Sequence, residues 1–123
     1  MLKNINKKRI FFLFITVLIA VVIFSFSTIE CTEEGKGNII LSTIYHFGIF
    51  FMFSFFLLLT IKNKQLDKKT ILIVLLISLT YAISDEFHQL FVFGRFASLK
   101  DVLIDFAGSV SAVLLINKMD KNQ

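Results

Sequence analysis

Four long apolar runs, each bounded by charged residues, dominate this chain and leave it few folds to adopt. The runs cover about residues 10–29, 39–61, 71–84 and 102–116, and the helices expected on them cover about 10–29, 39–61, 70–90 and 101–117. An apolar stretch of about 20 residues makes a helix of roughly 30 Å, the thickness of a bilayer's hydrocarbon core. Hydrophobic residues make up 56% of the 123, mean hydropathy is +0.80, and there are 16 Phe, no Pro and no Trp. A soluble domain of this length would separate its elements with polar loops and turn residues, which are scarce here. The expected fold is therefore all-α, an integral membrane four-helix bundle forming a single domain over residues 1–123.

The basic residues set an expected orientation. Lys3, Lys7, Lys8, Arg9, Lys62, Lys64, Lys68, Lys69, Lys118 and Lys121 fall on one side of such a bundle. Lys36, Arg95 and Lys100 fall on the other. Loops rich in Lys and Arg stay in the cytoplasm, so both termini are expected inside. The first run is longer than a signal peptide's apolar region and lacks a small-residue cleavage pattern, so it reads as an uncleaved anchor. The net charge of +4 does not point to nucleic acid, because the basic residues lie at the ends of apolar runs and not in one patch. Their expected partners are lipid head groups. Cys31 has no second cysteine to pair with, and Glu30 directly before it argues against a lipoprotein anchor, so it reads as a free loop residue. Four short helices bury little surface, which leaves a homo-oligomer open.

The unusual polar residues gather at the end opposite the lysines. Asp85, Glu86, His88 and Gln89 close the third run, while Asp101 and Asp105 open the fourth. Arg95 lies between them, and His46 sits in the second run, roughly 10 Å below its outer end. The third and fourth runs span the bilayer only if these carboxylates are drawn to the interface or just below it. Carboxylates at that depth face the bundle or a wet cavity. Arg95 is the expected cation for them, because its planar fork can grip a carboxylate by two hydrogen bonds. On the fourth helix Asp101, Asp105, Gly108 and Ala112 form one stripe, and Gly108 to Ala112 is a small-xxx-small pair that invites close helix packing. Ser98 is the expected N-cap of this helix, with Asp101 in the capping-box position. The loop from Leu90 to Lys100 is rich in Phe and is expected to lie in the interface with Arg95 turned inward.

The residues Ser84-Asp85-Glu86-Phe87-His88-Gln89, Phe91, Gly94-Arg95, Ser98, Asp101, Asp105 and Gly108, with His46-Phe47 on the second helix, resemble the VanZ-like family of bacterial membrane proteins. The resemblance runs from about His46 to Leu115 and is most specific between Asp85 and Asp101. The chain departs from the family's usual pattern at Thr43, Phe50, Phe93 and Asp105. The resemblance implies the bacterial cytoplasmic membrane and a link to glycopeptide, including teicoplanin, resistance or another cell-envelope phenotype. It supplies no reaction.

Four readings of the cluster remain open at this point. In the first, Asp85, Glu86, Gln89, Arg95, Asp101 and Asp105 bind a cell-wall precursor, another envelope component or a lipoglycopeptide at the outer leaflet. In the second, the chain is an enzyme on a lipid-linked substrate, with Glu86 as general acid or base and His46 or His88 assisting. A metal-dependent form would use Asp85, Glu86, His88 and Asp101, but there is no H-E-x-x-H and no cysteine ligand pair, so no metal and no cofactor is expected. The third is an ion or proton pathway, which the apolar inner halves of the helices disfavour. In the last, the polar groups only fasten the ends of the third and fourth helices.

Overall fold

The computed structural model describes residues 6–29 and 39–123. Cys31 and the acidic segment holding Glu30, Glu33, Glu34 and Lys36 lie outside the described residues, as does Lys3. Four α-helices follow one another: α1 (Lys7–Ser27), α2 (Ile39–Ile61), α3 (Lys68–Gln89) and α4 (Leu99–Lys121). There is no strand among the described residues.

Three of the helices start where a short polar side chain satisfies backbone donors that have no partner within the helix. Asn6 caps α1, Asp67 caps α3 and Ser98 caps α4. Hydrogen bonds from the Thr70 hydroxyl and backbone N–H hold the Asp67 carboxyl below the usual carboxylate range. α4 runs on past the apolar run, because Asp120 in its last turn is pinned. Asp120 accepts from Lys62 Nζ at 2.5 Å and from the Leu66 backbone N–H at 2.8 Å. At the same end Arg9 donates to the Lys62 carbonyl at 2.8 Å and to Asn63 Oδ1 at 2.9 Å. This basic end therefore ties α1, α4 and the α2–α3 connection together.

α2 is the hub. It packs most extensively on α4 and also touches α1 and α3. Phe50, Phe53, Leu57 and Leu58 of α2 form the core with Val74 and Ala82 of α3 and Val102, Ala112, Val113 and Ile116 of α4. Small hydroxyls inside the apolar runs supply directional contacts that apolar packing lacks in lipid. Ser54 and Ser78 share a buried hydrogen bond at 2.8 Å, and the Tyr81 hydroxyl donates to the Ala20 carbonyl at 2.6 Å.

The outward surface is apolar on all four helices, with Phe14 at 66% exposure, Ile39 at 72%, Leu72 at 59% and Leu103 at 61% among many others. So much exposed hydrocarbon suits lipid and not water. α1, α2 and α3 are each long and apolar enough to cross a membrane. α4 matches α2 in length at 23 residues, but Asp101, Asp105 and the charges of its last turn make it the most polar of the four.

Candidate functional site

The polar residues singled out in the sequence converge at the end of the bundle opposite Lys62. The centre is an interhelical pair between α2 and α4. His46 Nδ1 lies 2.9 Å from Asp105 Oδ1, although 59 residues separate the two in the chain. Asp105 is fully buried, and His46 is 6% exposed. Gly108 makes this approach possible. It sits one turn below Asp105 and lets the α4 backbone lie against Phe47 and Phe51 of α2.

Glu86 and Asp85 are neighbours on α3 but face different partners, because successive helical residues point about 100° apart. Glu86 turns toward α4. Its Oε2 accepts the Ser98 backbone N–H at 2.8 Å, which is the bond that the capping-box expectation assigned to Asp101. Ser98 still caps the Asp101 N–H, at 3.4 Å. The Asp101 carboxylate is thereby left for the interior. His46, Glu86 and Asp101 each place a possible ligand atom within 4.8 Å of the others. Glu86 Oε1 and Asp105 Oδ2 are buried and accept no hydrogen bond among the described residues.

Asp85 turns toward α1 and α2. It accepts from Gln89 Nε2 at 3.3 Å. Both line a small cavity of about 70 Å³ with Ser27, Tyr45, His46 and Arg95. The space can hold about two waters, or a small polar group of a larger ligand. The Tyr45 hydroxyl is buried there without a partner among the described residues. Ser27 and Tyr45 are site residues that sequence reasoning missed. Tyr45 adjoins His46, but nothing in an apolar run marks which neighbour of a histidine shares its cavity.

Arg95 does not pair with the carboxylates, contrary to the expectation from sequence. Its Nε donates to the Ile29 carbonyl and its Nη2 to the Phe26 carbonyl, each at 3.1 Å. Phe26 belongs to the last turn of α1, whose carbonyls lack a partner within the helix, and Ile29 lies just beyond it; an arginine there answers both their hydrogen-bonding capacity and the negative end of the helix dipole. Gly94 makes the turn that delivers it, with φ of 76°, in the region that side-chain-bearing residues avoid. Around it Phe91, Phe93 and Phe96 are strongly exposed. Gly94→Ala is expected to cost about 1–2 kcal/mol from that backbone strain and to loosen Arg95 from α1. Hydrogen exchange at the C-terminal turn of α1 should rise in the variant, and unaltered exchange would count against the capping role.

His88 also departs from the metal-dependent set. Its ring lies against Phe24 of α1, tilted by 30° with 4.6 Å between centroids, and its Nε2 is buried and unpartnered among the described residues. The structure thus brings His46, Glu86, Asp101 and Asp105 into one cluster and Asp85, Gln89 and Arg95 into the adjoining cavity. His46 lies in both, and His88 is left outside them.

A helical membrane protein with a buried acidic cluster at one end of its bundle is the class that this fold and this site define. Within that class, the chain belongs to the VanZ/LLP1 family, whose model matches residues 10–119. No curated protein and no solved structure matches the chain.

Proposed function

We propose that the chain lies in the bacterial cytoplasmic membrane with both termini inside, and that its polar cluster binds an envelope component or a lipoglycopeptide at the outer leaflet. The reading makes the protein a contributor to glycopeptide, in particular teicoplanin, resistance without requiring a reaction. The lysine-rich segments favour that orientation, since they collect at the Lys62 end. Family membership favours the envelope setting.

The observation that carries the proposal is the pair of buried acceptor oxygens, Glu86 Oε1 and Asp105 Oδ2, that accept no hydrogen bond among the described residues. Leaving such a group unsatisfied costs about 1–3 kcal/mol, and more when it is charged. A cluster serving only to fasten helices would satisfy its own oxygens. These two suit an incoming hydroxyl, amide or ammonium. Asp101, only partly buried at the rim, gives that group a way in.

Expression in a susceptible host should raise the inhibitory concentration of teicoplanin severalfold. Glu86→Gln should abolish the rise, because it replaces an acceptor with a donor. Arg95→Ala should weaken it by releasing α1 from the cavity wall. Equal susceptibility with and without the protein would remove the proposal.

A further inference from the structure

We propose that His46, Glu86 and Asp101 hold a divalent transition-metal cation, with Asp105 orienting the imidazole. The proposal rests on the cluster being a binding site and on nothing else in the functional reading. Three helices supply one ligand each: His46 from α2, Glu86 from α3 and Asp101 from α4. Their possible ligand atoms lie within 4.8 Å of one another. A cation bound to N and O ligands at about 2.0–2.2 Å draws them somewhat closer than that, which side-chain rotation can supply.

Two further observations point to a cation. The first is Glu86, which is 4% exposed and belongs to the ligand triangle, yet keeps Oε1 without a donor among the described residues. Its other oxygen is fixed by the Ser98 N–H at 2.8 Å, so the carboxylate is held in place for a ligand that none of the described residues supplies. The second is the bond between His46 Nδ1 and Asp105 Oδ1 at 2.9 Å. An imidazole that donates one N–H to a carboxylate presents the lone pair of its other nitrogen, and that carboxylate–histidine arrangement is the usual support behind a metal-bound histidine. Asp105 is thus a positioning residue. It sets which nitrogen of His46 is free.

The charge of the cluster agrees. Glu86, Asp101 and Asp105 converge on one imidazole, while the nearby Arg95 is spent on the carbonyls of α1. Three carboxylates around one histidine, mostly out of water, favour a divalent cation over a neutral ligand. Three protein ligands leave at least one coordination position open. With Asp101 at the rim, that position would be accessible to a hydroxyl or phosphate oxygen of an envelope lipid.

The test uses the full chain, purified in detergent with Cys31→Ser so that no thiol competes, and titrated with Zn2+ alone. The wild-type cluster is expected to bind Zn2+ saturably and in stoichiometric amount. Asp101→Asn and Glu86→Gln are each expected to weaken binding by at least about tenfold. Asp101 is only partly buried and its carboxylate accepts no hydrogen bond among the described residues, so its substitution leaves the bundle intact even where Glu86→Gln does not fold. Asp105→Asn should weaken binding and shift the visible spectrum of a Co2+-loaded sample, which a purely structural loss would not do. Asp120→Asn, at the opposite end, should bind as wild type. No saturable binding by the wild-type cluster, or unweakened binding in Asp101→Asn, would overturn the proposal. Zn2+ binding together with unchanged teicoplanin susceptibility would remove the resistance reading and leave the metal site standing.

Discussion

His46→Ala is expected to destabilise the bundle by about 3–5 kcal/mol, measured as a shift in unfolding by denaturing detergent. The substitution strips a fully buried carboxylate, Asp105, of the one hydrogen-bonding side chain it has among the described residues. It also opens a hole where α2 meets α4, the most extensive helix interface in the molecule. The cost arises mainly from the group left behind. Removing both partners together, as His46→Leu with Asp105→Val, should therefore restore most of the loss, since a buried pair exchanged for apolar side chains is often close to neutral. A double-mutant cycle measures this directly. A loss below about 1 kcal/mol for His46→Ala, or simple additivity of the two single losses, would show that the pair does not join the helices.

Gly108 carries the second large effect. A Cβ placed there would collide with the Phe47 carbonyl oxygen and stand 3.1 Å from the Phe51 backbone nitrogen. Both neighbours are helix backbone, so no side chain can rotate away and α4 must move off α2 as a whole. Overpacking of this kind costs about 1–3 kcal/mol for alanine, and more for a larger residue. Because Asp105 lies one turn above, the same displacement stretches its contact with His46. Gly108→Ala should then lose stability and weaken the polar site together. Gly48 is the internal control. No atom of the described residues lies within 4 Å of a Cβ built there, so Gly48→Ala should be neutral or stabilising by up to about 1 kcal/mol from helix propensity. Equal stability of the two alanine variants would show that the close crossing at Gly108 is not tight.

Much of the polar cluster can be read from the sequence, and the reasons differ by residue. Asp85, Glu86, Asp101 and Asp105 stand out because charge is expensive inside an apolar run, whatever surrounds it. Gly108 and Ala112 stand out because their spacing places two small residues on one helix face. Arg95 was equally visible, but its partner was not. A loop arginine binds whichever acceptors its backbone brings within reach, and here those are the carbonyls that end α1. The capping box failed for a related reason. Ser98 has one N–H to offer, and Glu86, arriving from another helix, occupies it in place of Asp101.

The chain alone is enough to settle the number of helices, their approximate limits and their affinity for lipid. Those depend on run length, local capping residues and transfer free energy, which are properties of consecutive residues. Which carboxylate meets which histidine is a different kind of question. His46 and Asp105 are 59 residues apart, and their contact depends on how closely α2 and α4 cross and on the rotation of each about its axis. A turn of about 100° about a helix axis exchanges Glu86 for Asp85 at the same interface. No local pattern encodes that angle, and the packing of whole helices sets it.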